Sequence, residues 1–404
     1  MPFEIPENWV WTTIEDIAES NIGLTYKPTD ICANGVPVYR SNNIQNRRIC
    51  LKELVRVNTN ILEKQYLQEG DLLICARNGS RNLVGKCAIV DNLNEPTSFG
   101  AFMAVCRSAL NPWIFQILNS EYFNTYLDDS NSTAINQVTQ KMLLAFQLPI
   151  PPAAEQERII SKLKQWYEYI DEIEDRKIEL ESYIKQTKSK ILDLAISGKL
   201  VPQDPNDEPA IELLKRINPD FQPCDNSHYE NLPQGWTIVG LHSVAEIITG
   251  STPSKLNAEY YNGDVPFYKP NDLDQGRHVR CASEYLSQQG KSISRSIPCN
   301  SIAVCCIGSI GKCGFIEKEG VTNQQINTIV PNDAIFPLYM YYFCNSSTFI
   351  DELKSLSSAV TISIVNKSKL STIQIPLPPI AEQKRIISVI EQLYSHLDMI
   401  TAEL

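Results

Sequence analysis

The sequence lacks what would place the chain in or across a membrane. No apolar run approaches the roughly 18–20 residues that a spanning helix needs. The opening MPFEIPENW has neither the basic nor the apolar region of a secretory signal, which points to a cytoplasmic protein. There is no CxxC pair, and the four histidines (His228, His242, His278, His396) do not cluster, so structural zinc has no ligand framework. The twelve cysteines follow no regular spacing; they read as free, mostly buried thiols in a reducing compartment. Positive charge is short as well. With 36 Lys+Arg against 47 Asp+Glu the net charge is −11, which speaks against a simple polyanion binder. Any nucleic-acid role must therefore use local basic patches, or share its surface with a basic partner.

What is present is ordinary globular composition, 43% hydrophobic and 21% charged, in 404 residues, enough for more than one domain with its own core. The chain also repeats itself. Residues 148–161 read LPIPPAAEQERIIS and residues 375–388 read IPLPPIAEQKRIIS, an offset of 227. The same offset relates Ile5-Pro6-x-x-Trp9 to Leu232-Pro233-x-x-Trp236, and Ala18-Glu19 to Ala245-Glu246. A period this long is a duplicated domain plus its connector rather than a solenoid repeat. Two similar modules on one connector suggest a molecule that grips two places a fixed distance apart.

Each copy begins with short β-rich stretches: VPVYR (36–40), DLLICA (71–76) and KCAIV (86–90), then VPFYK (265–269), SIAVCC (301–306) and NTIV (327–330). Both then turn helical, through PWIFQILNSEYFNTYLDD and FPLYMYYFCNSSTFIDELKS. Pro151-Pro152 marks the start of a long helix, because Pro is tolerated only at a helix entrance. Its seam is Ile160, Leu163, Tyr167, Ile170, Ile173, Leu180, Ile184, Ile191 and Leu194, with Lys177 and Thr187 in the remaining slots: a heptad pattern with one stammer. Gly198 ends it, with Pro202 and Pro205 beyond. Some 43 residues give roughly 65 Å of rod. The second copy starts at Pro378 and carries Ile386, Ile387, Ile390, Leu393, Leu397 and Ile400. An equal second unit would reach residue 454, about 50 beyond Leu404, so the distal half of the first rod is expected to lack an intramolecular mate.

Enzyme motifs fail on spacing. Ser309-Ile310-Gly311-Lys312-Cys313 has a P-loop flavour, but lacks a first Gly at the required four-residue spacing and a Ser or Thr after the Lys. Asn218-Pro219-Asp220-Phe221 lacks the second Pro of an adenine-methyltransferase motif. Glu352-Leu353-Lys354 supplies half of a metal-nuclease signature, in a helical stretch without an upstream Asp. No Ser/His/Asp or Cys/His constellation is defensible. The chain is expected to be non-catalytic.

On the two Pro-x-x-Trp openings, the two Pro-Pro-x-x-Glu-Gln-x-Arg-Ile-Ile segments and Ser197-Gly198-Lys199-Leu200-Val201, the chain resembles the DNA-specificity (S) subunits of type I restriction–modification systems, over nearly its whole length. The resemblance implies an α+β fold: two mixed α/β target-recognition domains on long antiparallel coiled-coil-like helices, with a pseudo-twofold internal repeat. The domains would be 1–150 and 228–376, with a helix and linker at 151–227 and a shorter second helix at 377–404. Each domain would read one half of a bipartite double-stranded DNA target. The helices would set the spacing and dock two methyltransferase (modification) subunits, which restriction (motor and nuclease) subunits then join. AdoMet, ATP and Mg would sit on those partners, with no cofactor in this chain. Two alternatives stand beside it: an assembly adaptor or inhibitor that no longer reads DNA, and a self-contained nuclease or methyltransferase.

Three paired regions could read DNA. The first is similar to the family's hallmark loop: Arg40, Asn42 and Asn43 leading to Arg47 and Arg48, opposite Lys269, Asn271 and Asp272 leading to Arg277 and Arg280. Arg and Lys suit guanine edges or phosphates and Asn suits adenine; the competing reading is a solvated loop with an Asx turn. The second is Arg77, Asn78, Ser80 and Arg81 opposite Ser309, with Lys86 and Lys312 as phosphate contacts; the first copy is about three residues longer here. Its competitor is a turn kept for the fold. The third pairs Asn136-Gln137-Val138-Thr139-Gln140-Lys141 with Ser363-Ile364-Val365-Asn366-Lys367-Ser368, of which Gln140, Lys141, Asn366 and Lys367 are the candidates. Gln324 and Gln325, in Thr322-Asn323-Gln324-Gln325, add amides where the first copy is aligned at Thr97-Ser98-Phe99-Gly100. Here the competing reading is ordinary surface polarity.

Overall fold

A computed structural model describes residues 3–130, 137–224, 232–357 and 364–404. The chain forms two compact units, Met1–Ile173 and Glu174–Leu404, dividing partway along one long helix. Within each unit the same elements recur. A four-stranded sheet has the order Glu19–Ile22, Met103–Arg107, Leu72–Cys75, Cys87–Ile89 in the first repeat. It has the order Ala245–Thr249, Ile326–Pro331, Ser301–Cys305, Cys313–Ile316 in the second.

The central strand of each sheet is buried on both faces, which is why it reads as an unbroken apolar run. Its two-residue period sorts alternate side chains into different cores. Leu72 and Ile74 join Ile14, Trp113, Ile114, Phe123 and Phe146 beneath the helices. Leu73 and Cys75 join Tyr39, Phe99 and Val105 on the other face. In the second repeat Ile302 and Val304 divide from Ala303 and Cys305 in the same way.

A second sheet holds the candidate loops. Strand Ile31–Tyr39 pairs antiparallel with Val55–Val57 and parallel with Ser98–Phe99; Tyr261–Tyr268 pairs likewise with Glu284–Leu286 and Gly320–Thr322. A two-stranded ribbon closes each repeat, Val10–Thr13 with Gln147–Ile150 and Thr237–Gly240 with Gln374–Leu377. All twelve cysteines are free, seven of them buried.

The long helix spans Ala153–Ile196. It stops at Gly198, whose φ of +69° is the left-handed C′ position. Lys199 N–H donates to Leu194 O at 2.8 Å and Gly198 N–H to Ala195 O at 3.2 Å, the two bonds of a Schellman closure. Glycine is doubly required, because a Cβ there would lie 2.3 Å from Pro233 Cγ. The C-terminal helix, Ile380–Glu403, packs antiparallel on the distal half of the long one. Tyr394 OH donates to Lys188 O at 2.9 Å, Lys188 pairs with Asp398, and Lys177 Nζ donates to Leu404 O.

This corrects the expectation that the distal half lacks a mate. Antiparallel pairing covers the end of the first rod with the beginning of the second, and the seam residues left exposed are mid-helix ones. Trp166, Ile170 and Ile173 are 56%, 46% and 67% exposed, while Ile184 and Ile191 are buried.

The repeated motifs are joints of this fold. In the second repeat, buried Glu382 accepts from Trp236 Nε1 at 3.0 Å and from Gln203 Nε2 at 3.1 Å, and Arg385 pairs with Asp207 at 2.6 Å. Gln383 bonds Ala334 O, Pro378 O and Phe336 N–H, fixing the helix entrance. In the first repeat Glu155 takes only Asn8 Nδ2, at 3.3 Å, and the buried Trp9 Nε1 has no partner among the described residues. Burial holds the Glu382 carboxyl above its ordinary range, against the two donated hydrogen bonds that pull it down.

Candidate nucleic-acid interface

In the first repeat the structure gathers part of the candidate set around one open cleft of about 1050 Å³. Arg40 and Asn42 line it from the end of strand Ile31–Tyr39, Arg77 and Asn78 from the loop after Leu72–Cys75, and Gly100–Met103 from a third turn. Leu24, Thr25 and Tyr26 close the remaining wall. The loops are tied together: Asn78 Nδ2 donates to Ser41 Oγ at 3.1 Å and its Oδ1 accepts Ser80 N–H at 3.0 Å.

Asn43 supports this loop from inside. It is fully buried; Oδ1 accepts Arg40 N–H at 3.0 Å and Nδ2 donates to Cys50 O and Lys52 O. Its twin Asp272 accepts Lys269 N–H at 2.7 Å and Ser283 N–H at 2.8 Å. These two residues hold the shape of the loop, presenting Arg40 and Lys269.

The remaining first-repeat candidates lie elsewhere or are engaged. Arg47 and Arg48 sit on a hairpin whose Asn46 and Arg47 have φ of 47° and 60°, the double left-handed turn that suits twisted strands. That hairpin leans on the long helix: the Arg47 guanidinium lies 3.9 Å from the Tyr167 ring centroid, and Arg48 pairs with Asp171 at 2.9 Å. Arg81 pairs with Asp128, and Lys86 Nζ donates to Ile44 O. Burial holds the Lys86 ammonium below its ordinary range. Gln140 Nε2 donates to Ser20 O at 2.6 Å, while Lys141 is exposed.

The second repeat has the same loops with different electrostatics. Lys269 pairs with Glu284, Arg277 with Glu391 at 3.0 Å, Arg280 with Glu317, and Lys312 with Asp274 at 2.7 Å. Hydrogen bonds from Arg280 and His278 hold the Glu317 carboxyl down at about 2. Asn271, Ser309 and Lys367 are exposed, and Asn366 caps its short helix by accepting Lys369 N–H at 2.9 Å. Gln324 bonds Thr252, and Gln325 Oε1 accepts Asn323 Nδ2 at 2.9 Å. Asn136 and Ser363 lie outside the described residues.

Strand pairing also realigns the two copies. Tyr39 pairs with Phe99 and Tyr268 with Thr322, so Phe99-Gly100-Ala101-Phe102 is the counterpart of Thr322-Asn323-Gln324-Gln325. Thr97-Ser98-Phe99-Gly100 is therefore out of step by two residues, because register follows hydrogen bonding rather than residue likeness. Gly85 and Gly311, both at φ +89°, close the second loop pair. Between the matched residues Cys75 and Gly85, and Cys305 and Gly311, the first copy has four extra residues, not three.

Among the described residues no group of His, Cys, Asp or Glu is placed to hold a metal ion. No helix among them is long and apolar enough to cross a membrane.

The family model of the type I restriction modification DNA specificity domain matches twice, over residues 6–182 and 233–404. The chain belongs to this family. Its two matched segments are two copies of the DNA-specificity domain. Similar curated proteins include the Type I restriction enzyme HindI specificity subunit of Haemophilus influenzae, 27% identical across 82% of this chain and 83% of its own length. The EcoKI specificity subunit of Escherichia coli is 25% identical across 98% and 84%. A chain from a type I R-M system superposes with a TM-score of 0.68 at 18% identity, covering 100% of this chain and 94% of its own. The HsdS subunit of Thermoanaerobacter tengcongensis gives 0.56 at 17%, covering 100% and 93%. Nothing in these relatives supports the adaptor or inhibitor reading.

Within this DNA-specificity domain, sequence reasoning missed Leu24, Tyr26 and Phe102. Phe102 lies in an apolar stretch, SFGAFMAV, that reads as buried strand, yet it is 61% exposed.

Proposed function

We propose that this chain is the non-catalytic DNA-reading subunit of a type I restriction–modification assembly. Each specificity domain reads one half of a bipartite duplex target, and the helices set the spacing and dock two methyltransferase subunits. Restriction subunits join that core, and AdoMet, ATP and Mg act on the partners. The observation that carries the reading is the loop pair presented by both repeats, each carrying a basic residue, Arg40 or Lys269, whose backbone N–H donates to a buried Asn or Asp.

Arg77 and Arg40 are the strongest candidates for base or phosphate contact. Neither has an ion pair among the described residues, and Arg40 Nε is buried without a hydrogen-bond partner. In the second domain Lys269, Arg277, Arg280 and Lys312 are held by carboxylates that must yield before these cations meet DNA. Together with the net charge of −11, this predicts weak, salt-sensitive binding by the isolated chain. A nanomolar sequence-specific complex without partners would overturn that expectation.

The test is a methylome of cells expressing the chain with a partner methyltransferase subunit, beside cells with the methyltransferase alone. A new split adenine-methylation motif that depends on this chain is the expected result. A stable complex that creates no motif overturns the proposal.

A further inference from the structure

We propose that Phe102 is a specificity-determining residue of the first domain, its ring taking the C5-methyl edge of a thymine beside a guanine read by Arg77. This rests on the DNA-reading function proposed above.

Phe102 is 61% exposed and lines the cleft, so a large apolar ring whose burial is worth more than that of most residues stands where a ligand would cover it. Phe102 is not a loose surface residue. Its carbonyl accepts Ala76 N–H at 2.9 Å and Arg77 N–H at 3.0 Å, so the main chain is fixed while the ring stands out into the cleft. The Arg77 guanidinium lies 5.6 Å from the ring centroid, within cation–π range. Held there, the guanidinium keeps N–H donors available for a base edge.

Arg in bidentate contact with guanine O6 and N7, and an apolar ring against the thymine methyl, are two of the major-groove pairings that geometry favours. Among the described residues no acidic side chain lines the cleft, so none of them neutralises the arginines from within it.

The second domain makes the contrast. Its residue at the same register is Gln325, whose carbonyl likewise accepts Cys306 N–H, at 2.7 Å. The backbone device is kept and the side chain is changed from apolar to amide, bonded to Asn323. Position 102/325 therefore varies in chemistry on a constant scaffold, as a position that selects bases must when two halves read different sequences.

The experiment uses the chain assembled with its methyltransferase partner. The wild-type motif is first read from a methylome; duplexes carrying it are then made with each thymine of the first half-site replaced in turn by deoxyuridine, which lacks only the methyl. One replacement, next to a guanine, is expected to slow wild-type methylation about four-fold, the worth of one apolar carbon group. The same replacement leaves Phe102→Ala unaffected, and Phe102→Leu retains part of the discrimination. Changes in the second half-site act equally on all three proteins. Because the ring is exposed, the melting temperature of Phe102→Ala should match the wild type. A first half-site without such a thymine, or a Phe102→Ala protein that still discriminates against deoxyuridine, overturns this inference and leaves the DNA-reading function standing. A wild-type assembly that creates no motif overturns both.

Discussion

Replacing Glu382 by glutamine tests the joint that closes the second repeat. The carboxylate is 1% exposed and accepts from two donors, Trp236 Nε1 and Gln203 Nε2. An amide offers one oxygen and one NH2 in place of two oxygens, so one of those donors must face another donor. A buried donor left unsatisfied costs about 1–3 kcal/mol. Relief from burying a charge works the other way and brings the net to about 1 kcal/mol. For a unit of this size that lowers melting by about 2–4 °C. The twin substitution, Glu155→Gln, is the control. Its bond to Asn8 is long and exposed, so a change within about 0.5 kcal/mol is expected.

The pH dependence has a definite sign. Burial raises the folded value of Glu382, so its contribution to stability is fully present below the ordinary glutamate range and is lost as pH rises through the folded value. The wild type's advantage over Glu382→Gln should therefore be largest in acid and shrink as pH rises. Calorimetry of both variants across pH measures this. Equal effects at Glu382 and Glu155, or a gap that widens with pH, would refute the reasoning.

Asp71 is 1% exposed and takes two bonds from Arg107, at 2.8 and 2.7 Å, so Asp71→Ala should cost about 3–5 kcal/mol by leaving the guanidinium unpaired. Arg48→Ala, which breaks a pair more than half exposed on both sides, should cost less than about 1 kcal/mol in the same denaturation assay. Gly311→Ala should destabilise by about 1–3 kcal/mol, because φ is +89° and the new Cβ would lie 2.7 Å from Ile350 Cδ1. Thiol labelling of the native chain read by mass spectrometry should modify the exposed Cys32, Cys281 and Cys299. It should spare Cys87 and Cys313, whose burial pushes them up to about 12. Arg77→Glu should reduce motif methylation more than ten-fold, the loss of one good base contact, and more than Lys269→Glu does, because Lys269 is already paired with Glu284.

Much of the fold was legible because it rests on local rules. Pro151-Pro152 and Gly198 bound a helix wherever they flank a heptad, and Leu72–Cys75 had to be a doubly buried strand once its unbroken apolar run was set between turn residues. The duplication declared two homologous units before any contact was known. The candidate site was legible only as loops. Asn43 and Arg40 carry equally polar side chains three residues apart, yet one is spent on backbone carbonyls inside and the other lines the cleft. Nothing local in the pattern marks which way each points.

Tertiary structure decided the rest, because the deciding interactions join residues far apart in sequence. Glu391 beside Arg277, Asp171 beside Arg48 and the ring of Phe102 beside Arg77 are brought together by packing. Packing also sets the strand register that makes Phe102 the counterpart of Gln325. Sequence by itself determined the elements, their order and their repetition, through periods and end signals that act within a few residues. Which cations remain free for a ligand was settled by the carboxylates that the fold brings to them.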